Sequence, residues 1–283
     1  MKNTLIDQFQ MDAKVIFLAQ DLLLMKLRRN PDETELEEII HDLRINIRKL
    51  ISLLYFHKPL LKKKERKELI SSLKMLLRNF GSLRAKHVYL KSSEKFSSQL
   101  TEEEKNLFYE MNEREMEKTR FFRGKEEKLD PIAFRVRYEE TLKRFLGYGK
   151  QLFRNSTLVL DKDSETFIAD RYQELMDHFS EMERKLDYDS EKEVHKLRVL
   201  AKNINYTLQM KDDLLGDLAM KRAEHLKRIQ DTAGKIHDAD VHLKIVSSFE
   251  TTEEEEKLRT GFLNYISRER EEYKHKLKRV VQH

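Results

Sequence analysis

The chain of 283 residues contains no cysteine, only three prolines and seven glycines, and no charge-free stretch longer than eight residues. Without cysteine there are no disulfides, no thiolate metal sites and no thiol nucleophile, and a reducing cytoplasm is the simplest setting. The charge-free stretches, such as Leu50–His57 and Thr260–Ser267, fall far short of the ~20 residues of a spanning helix, so no membrane segment is expected. Met1-Lys2-Asn3-Thr4 leads straight into interrupted apolar and charged positions, without the continuous apolar core of a secretory signal. With so few helix breakers, a leucine-rich apolar set and 38% charged residues, the composition favours long amphipathic helices and an all-α fold.

What the chain does have is cationic charge in particular places. The formal net charge is only +5, yet between His57 and Lys95 twelve Lys or Arg face three acids, a local +9 that leaves the remainder acidic. From His195 to Lys211 four cations, Lys196, Arg198, Lys202 and Lys211, occur with no acid. The ordinary reading of a run such as Lys62-Lys63-Lys64 is a solvated face. Helical periodicity runs almost throughout. Breaks are expected at Arg29-Asn30-Pro31, His57-Lys58-Pro59, Lys91-Ser92-Ser93, Gly124, Asp130-Pro131, Asn155-Ser156, Asp187-Tyr188-Asp189 and Glu250-Thr251-Thr252, giving about eight helices.

The chain also repeats itself. IIHDLRINIR, residues 39–48, is matched 154 positions later by EVHKLRVLAK, residues 193–202. At that offset the apolar residues Leu43, Ile47, Leu50 and Leu54 fall on Leu197, Ala201, Ile204 and Leu208, a spacing of four, three and four that makes a core-facing helix stripe. His41, Arg44 and Arg48, like His195, Arg198 and Lys202, form a second stripe of nitrogen donors on another face. At an offset one shorter, Leu73–Leu83 matches Leu226–Ile236, with Lys74 on Lys227 and Gly81 on Gly234. A glycine about two turns beyond a lysine allows a close helix approach or starts a turn. These repeats set the division expected here: one domain over 1–283 with related helical halves, 1–155 and 156–283.

His-x-x-Arg-x-x-x-Arg/Lys, then Leu-Lys-x-x-x-x-x-x-Gly, and in the second half His237-Asp238-Ala239-Asp240-Val241, resemble the conserved histidine α-helical domain, or CHAD. The resemblance covers nearly the whole chain. It implies two four-helix bundles related by an internal pseudo-twofold, packed around a basic central groove or pore that binds inorganic polyphosphate. This sequence departs from the family pattern at Ile51, Ala85 and Asn205, where the family commonly has a further cation, an Asp and an Arg.

The implied ligand suits the residues. Polyphosphate carries about one negative charge per phosphate and has neither bases nor grooves, so a row of cations suffices. Six donors, His41, Arg44, Arg48, His195, Arg198 and Lys202, would then face the chain, with Lys74, Arg78, Arg84, Lys227 and Lys235 as an outer ring. Arg offers a planar fork to phosphate oxygens, Lys a point charge, and His a donor that gains charge as pH falls through ~6.5. Aromatic residues near the motifs are few, Tyr55 and Tyr206, which argues against base stacking. The reading is a non-enzymatic, cytoplasmic binding protein without cofactor or metal. Polyphosphate is its partner, with possible association with polyphosphate-metabolising enzymes or granules, and nucleic acid is the less favoured polyanion.

Each residue also has a plainer use. A histidine near a helix start caps or packs, and Arg44 and Arg198 can pair with bundle carboxylates; recurrence of the triad favours a shared role. Glu181-Met182-Glu183-Arg184-Lys185 matches a Glu-x-Glu-x-Lys tunnel motif that works on a strand, whereas on a helix those positions diverge. His41-Asp42 and His237-Asp238 resemble the start of a metal-dependent HD phosphohydrolase site, to which His242 could contribute from the face of Asp238, but no complete ligand set is evident. Ser190-Glu191-Lys192-Glu193 reads as a helix start. The rival functions are that phosphohydrolase and a helical scaffold or nucleic-acid binder.

Overall fold

A computed structural model describes residues 5–29, 31–78, 80–118, 131–147, 152–153, 164–210 and 212–282. Among them are ten helices and no strand: α1 (Leu5–Leu27), α2 (Glu33–Phe56), α3 (Lys63–Arg78), α4 (Gly81–Ser97), α5 (Glu102–Lys118), α6 (Pro131–Gly147), α7 (Ser164–Arg184), α8 (Glu191–Met210), α9 (Asp212–Val246) and α10 (Glu253–Gln282). The all-α fold expected from composition is what forms. No helix among the described residues is long and apolar enough to cross a membrane.

The helices sort into two compact units. The first comprises Met1–Phe80, Lys128–Lys185 and Val199–Lys227, and the second Gly81–Glu127, Leu186–Arg198 and Arg228–His283. In the first unit α1 packs on α2, α2 on α3, α3 on α6 and α6 on α1, a closed ring of four helices. Its interior is aromatic. Phe9 stacks on Phe145 with centroids 5.5 Å apart, and the buried Tyr138 satisfies its hydroxyl by donating to the Phe17 carbonyl at 2.9 Å, as a buried phenol must. Leu43, Ile47, Leu50 and Leu54 are buried, as are their counterparts Leu197, Ala201, Ile204 and Leu208, so both motif helices use the face that periodicity assigned to the core. The second unit draws its core from α4, α5, α9 and α10, around Tyr89, Phe96, Phe108, Met111, Val246 and Phe262. Each such fully buried side chain contributes roughly 2 kcal/mol.

Several helix boundaries follow their local chemistry. Asp32 caps α2 by accepting from the Glu35 amide at 2.9 Å, and the Ser190 hydroxyl accepts from the Glu193 amide at 3.3 Å, so the Ser-x-x-Glu start is used. The breaks expected at residues 29–31, 57–59, 187–189 and 250–252 lie between helices. Lys91-Ser92-Ser93, by contrast, lies inside α4, where the Ser93 hydroxyl donates to the Leu90 carbonyl at 2.9 Å and so satisfies itself on its own helix. The boundary falls later, at a reciprocal cap in which Glu104 accepts from the Thr101 amide at 3.1 Å and the Thr101 hydroxyl accepts from the Glu104 amide at 3.3 Å. Of the break expected at Asp130-Pro131, Pro131 opens α6, while Asp130, like Gly124 and Asn155-Ser156, lies outside the described residues.

Candidate functional site: cationic faces of the motif helices

In the first unit, burying Leu43, Ile47 and Leu50 turns His41 to solvent and leaves Arg44 and Arg48 half-buried along the edge of α2. Arg44 Nη1 donates to the Leu77 carbonyl at 3.1 Å, in the last turn of α3, where a cation complements the negative end of the helix dipole. This bond brings the α2 stripe against the segment that carries Lys74 and Arg78, both exposed. One turn beyond Arg48, the Ser52 hydroxyl lies 2.9 Å from the Arg48 carbonyl and 3.1 Å from Oδ1 of Asn203 on α8. Asn203 is the neighbour of Lys202, so the two motif helices meet here. Lys202 is half-buried, with its ammonium 5.7 Å from the centroid of the Tyr206 ring, within cation–π range. Lys227 is exposed on α9.

In the second unit His195 is exposed at the start of α8 and Arg198 half-buried one turn on. The Arg198 guanidinium lies across Gly234 on α9: a Cβ built on that glycine would meet Nε at 3.5 Å and Nη2 at 3.7 Å. Gly234 therefore receives a side chain rather than another backbone, whereas its sequence counterpart Gly81 opens α4 with nothing near the position of its Cβ. The His195 ring sits 5.2 Å from that of His237, tilted by 48°. Desolvation, partial at His195 and greater at His237, and then the Arg198 guanidinium hold both imidazoles below the usual histidine range, so at neutral pH they are uncharged donors beside a fixed cation. His237 was singled out in the sequence only as part of the His-Asp-Ala-Asp-Val run; its pairing with His195 joins residues 42 apart, which no local pattern could display. Lys235 opens into a small cavity of about 130 Å³ lined also by Lys91, Lys95, Asp238, His242, Glu269 and Tyr273. Arg84 lies on α4, and its side chain is outside what the structure describes.

The remaining sequence features resolve simply. Of the three departures, Asn205 is buried and Ile51 and Ala85 are half-buried. In the Glu-x-Glu-x-Lys segment, Glu181 pairs with Lys185 at 2.7 Å while Glu183 turns to His225 at 2.8 Å, so its members diverge as a helix requires. Asp238 and His242 do line one cavity, but Asp240 is held by Arg270 at 2.6 Å. Among the described residues no group of three or more His, Asp or Glu side chains is placed to hold a metal ion.

The fold and these faces define an all-helical protein that carries duplicated His-Arg stripes beside its core faces. The sequence matches the CHAD domain family model over residues 20–246, and the chain belongs to that family. A solved structure, PptA from Streptomyces chartreusis, is similar in fold with a TM-score of 0.63 at 13% identity, covering 99% of this chain and 100% of that one. No curated protein matches.

Proposed function

We propose that this protein binds inorganic polyphosphate, or a closely similar polyanion, through the cationic faces of α2 and α8, and that it holds the polymer without reacting it. The observation that carries the reading is the duplicated stripe. In both copies the apolar face is buried, and His41, Arg44, Arg48 and His195, Arg198, Lys202 are left on the edge. The contact of Ser52 with Asn203 supports it by bringing Arg48 and Lys202 onto neighbouring turns of helices that touch. Membership of the CHAD family supports a polyphosphate-related role.

Physically, the two units supply different kinds of donor. The guanidinium of Arg44 is oriented by a carbonyl and that of Arg198 lies along a glycine surface, so less side-chain entropy is lost when either meets a phosphate oxygen. The paired imidazoles donate while neutral, and a bound polyanion would favour their charged form, so binding takes up protons and strengthens as pH falls. Lys74 and Arg78, on the α3 segment that Arg44 reaches, add positive charge beside the α2 stripe. The cytoplasm, and association with polyphosphate-metabolising enzymes or granules, are the corresponding setting.

Titration with polyphosphate at several salt concentrations tests this. Four permanent charges, Arg44, Arg48, Arg198 and Lys202, give a log–log slope of about −3 by analogy with single-stranded nucleic acid. A salt-independent affinity would rule out the electrostatic site. Tighter binding of a mixed-sequence oligonucleotide in competition would move the function to nucleic acid, and release of orthophosphate from the bound polymer would make the protein a hydrolase.

A further inference from the structure

α1 presents a feature that the cationic faces leave unused. Its buried side holds Phe9, Ala13, Ile16, Phe17, Gln20 and Leu24. Its outer side carries Met11, Val15, Leu18, Leu22 and Met25, each between 57% and 64% exposed. Five large apolar residues spaced four, three, four and three apart make a continuous seam with the 3.5-residue period of a coiled coil. Isolated exposed apolar residues need no explanation, but a contiguous stripe marks an interaction surface. Because the family match begins at residue 20, Met11, Val15 and Leu18 lie outside it.

The charges beside the seam indicate what covers it. One flank carries Asp7, Lys14, Asp21 and Arg28, and the other Asp12, Ala19 and Lys26. Let a second copy lie antiparallel across a twofold at Leu18. Equivalent flanks then face each other: Asp7 meets Arg28 of the second copy, Lys14 meets Asp21, and Asp12 meets Lys26, every pair of opposite sign. A parallel pair sets one flank against the other and places Asp7 beside Asp12. Asp12 already accepts from the Gln8 amide at 3.0 Å and Asp21 is hydrogen-bonded with the Tyr138 hydroxyl, but a carboxylate has lone pairs for further donors and keeps its charge. The three acids also set this face against an anionic membrane surface, where the flanks of an amphipathic helix are basic.

We propose that α1 is a self-association surface, through which two copies of this chain form an antiparallel helix pair about Leu18. The proposal does not depend on what the cationic faces bind. Sedimentation of the full chain over a wide concentration range is expected to move from one chain mass to two. Leu18→Glu, which sets two carboxylates against each other on the axis, is expected to weaken dimerisation more than tenfold while leaving the melting temperature unchanged at concentrations where both chains are monomeric, since the side chain is exposed there. The absence of cysteine allows a register test. Leu18→Cys is expected to form a disulfide-linked dimer, and Met11→Cys is not, because the antiparallel pair separates the two thiols by about 21 Å along the axis. Met11→Cys with Met25→Cys in mixed chains is expected to cross-link. A single-chain mass at every concentration, an unaltered dimer in Leu18→Glu, or cross-linking of Met11→Cys as fast as Leu18→Cys would overturn the proposal. Vesicle binding by a chain that stays monomeric would overturn it too.

Discussion

Arg44 and Arg198 occupy the same place in the repeat but are held in different ways. Arg44 gives one N–H to the end of α3, a charge-assisted bond of about 1.5–3 kcal/mol, whereas Arg198 lies along Gly234. The sequence displayed the equivalence of the two arginines and of Gly81 with Gly234. It could not show that one glycine opens a helix and the other lies within one, because that depends on what approaches each. A methyl group on Gly234 would meet the guanidinium at ordinary contact distance, and alanine is favoured in a helix interior by up to about 1 kcal/mol. Gly234→Ala is therefore expected to raise thermal stability slightly and leave anion binding intact, as paired melting and titration curves will show. A larger side chain such as leucine there is expected to displace Arg198 and weaken binding.

Elements differ in how far they could be read in advance. α2 and α8 were legible because an apolar stripe with a regular period must be buried for a helix to be stable, and it is. The serines of α4 were misleading: a polar triplet resembles a turn, yet a hydroxyl bonded to its own helix carries no such signal. α9 holds the clearest electrostatic consequence. His242, only 5% exposed and edge-on to Tyr89, is pushed down by burial to about 4. A histidine whose folded value lies below its unfolded one contributes stability that is fully present above ~6.5 and is lost as pH falls towards the folded value. The loss from His242 between pH 7 and 5 is about 2 kcal/mol. Glu255, held near 2 chiefly by Arg114, loses its contribution only below the ordinary carboxylate range, so the window above pH 4.5 belongs to the histidines. Denaturant unfolding at pH 7 and 5 is expected to show this loss, with most of it absent in His242→Gln. An equal loss in that variant would assign the effect elsewhere.

At the scale of the whole molecule, composition established the helical class through shortages: few breakers, no thiols, no long apolar run. Which helices share a unit was less visible, because packing joins distant segments, as in the contact of Ser52 with Asn203. The same holds for the site. Both stripes were legible as spacing, but not the carbonyl that orients Arg44 or the imidazole that meets His195. The functional account stands on charge held at particular places rather than on charge in general, and Lys62 and Lys63, in the basic run where α3 begins, are the internal control. The most direct test compares polyphosphate affinity in two double variants, each measured well below its own melting temperature. Arg44→Ala with Arg198→Ala is expected to lose at least about tenfold, the equivalent of about 1.4 kcal/mol, while Lys62→Ala with Lys63→Ala changes affinity by less than about twofold. The reverse ranking, with the lysine run carrying the affinity, would contradict the assignment of the stripes as the binding site.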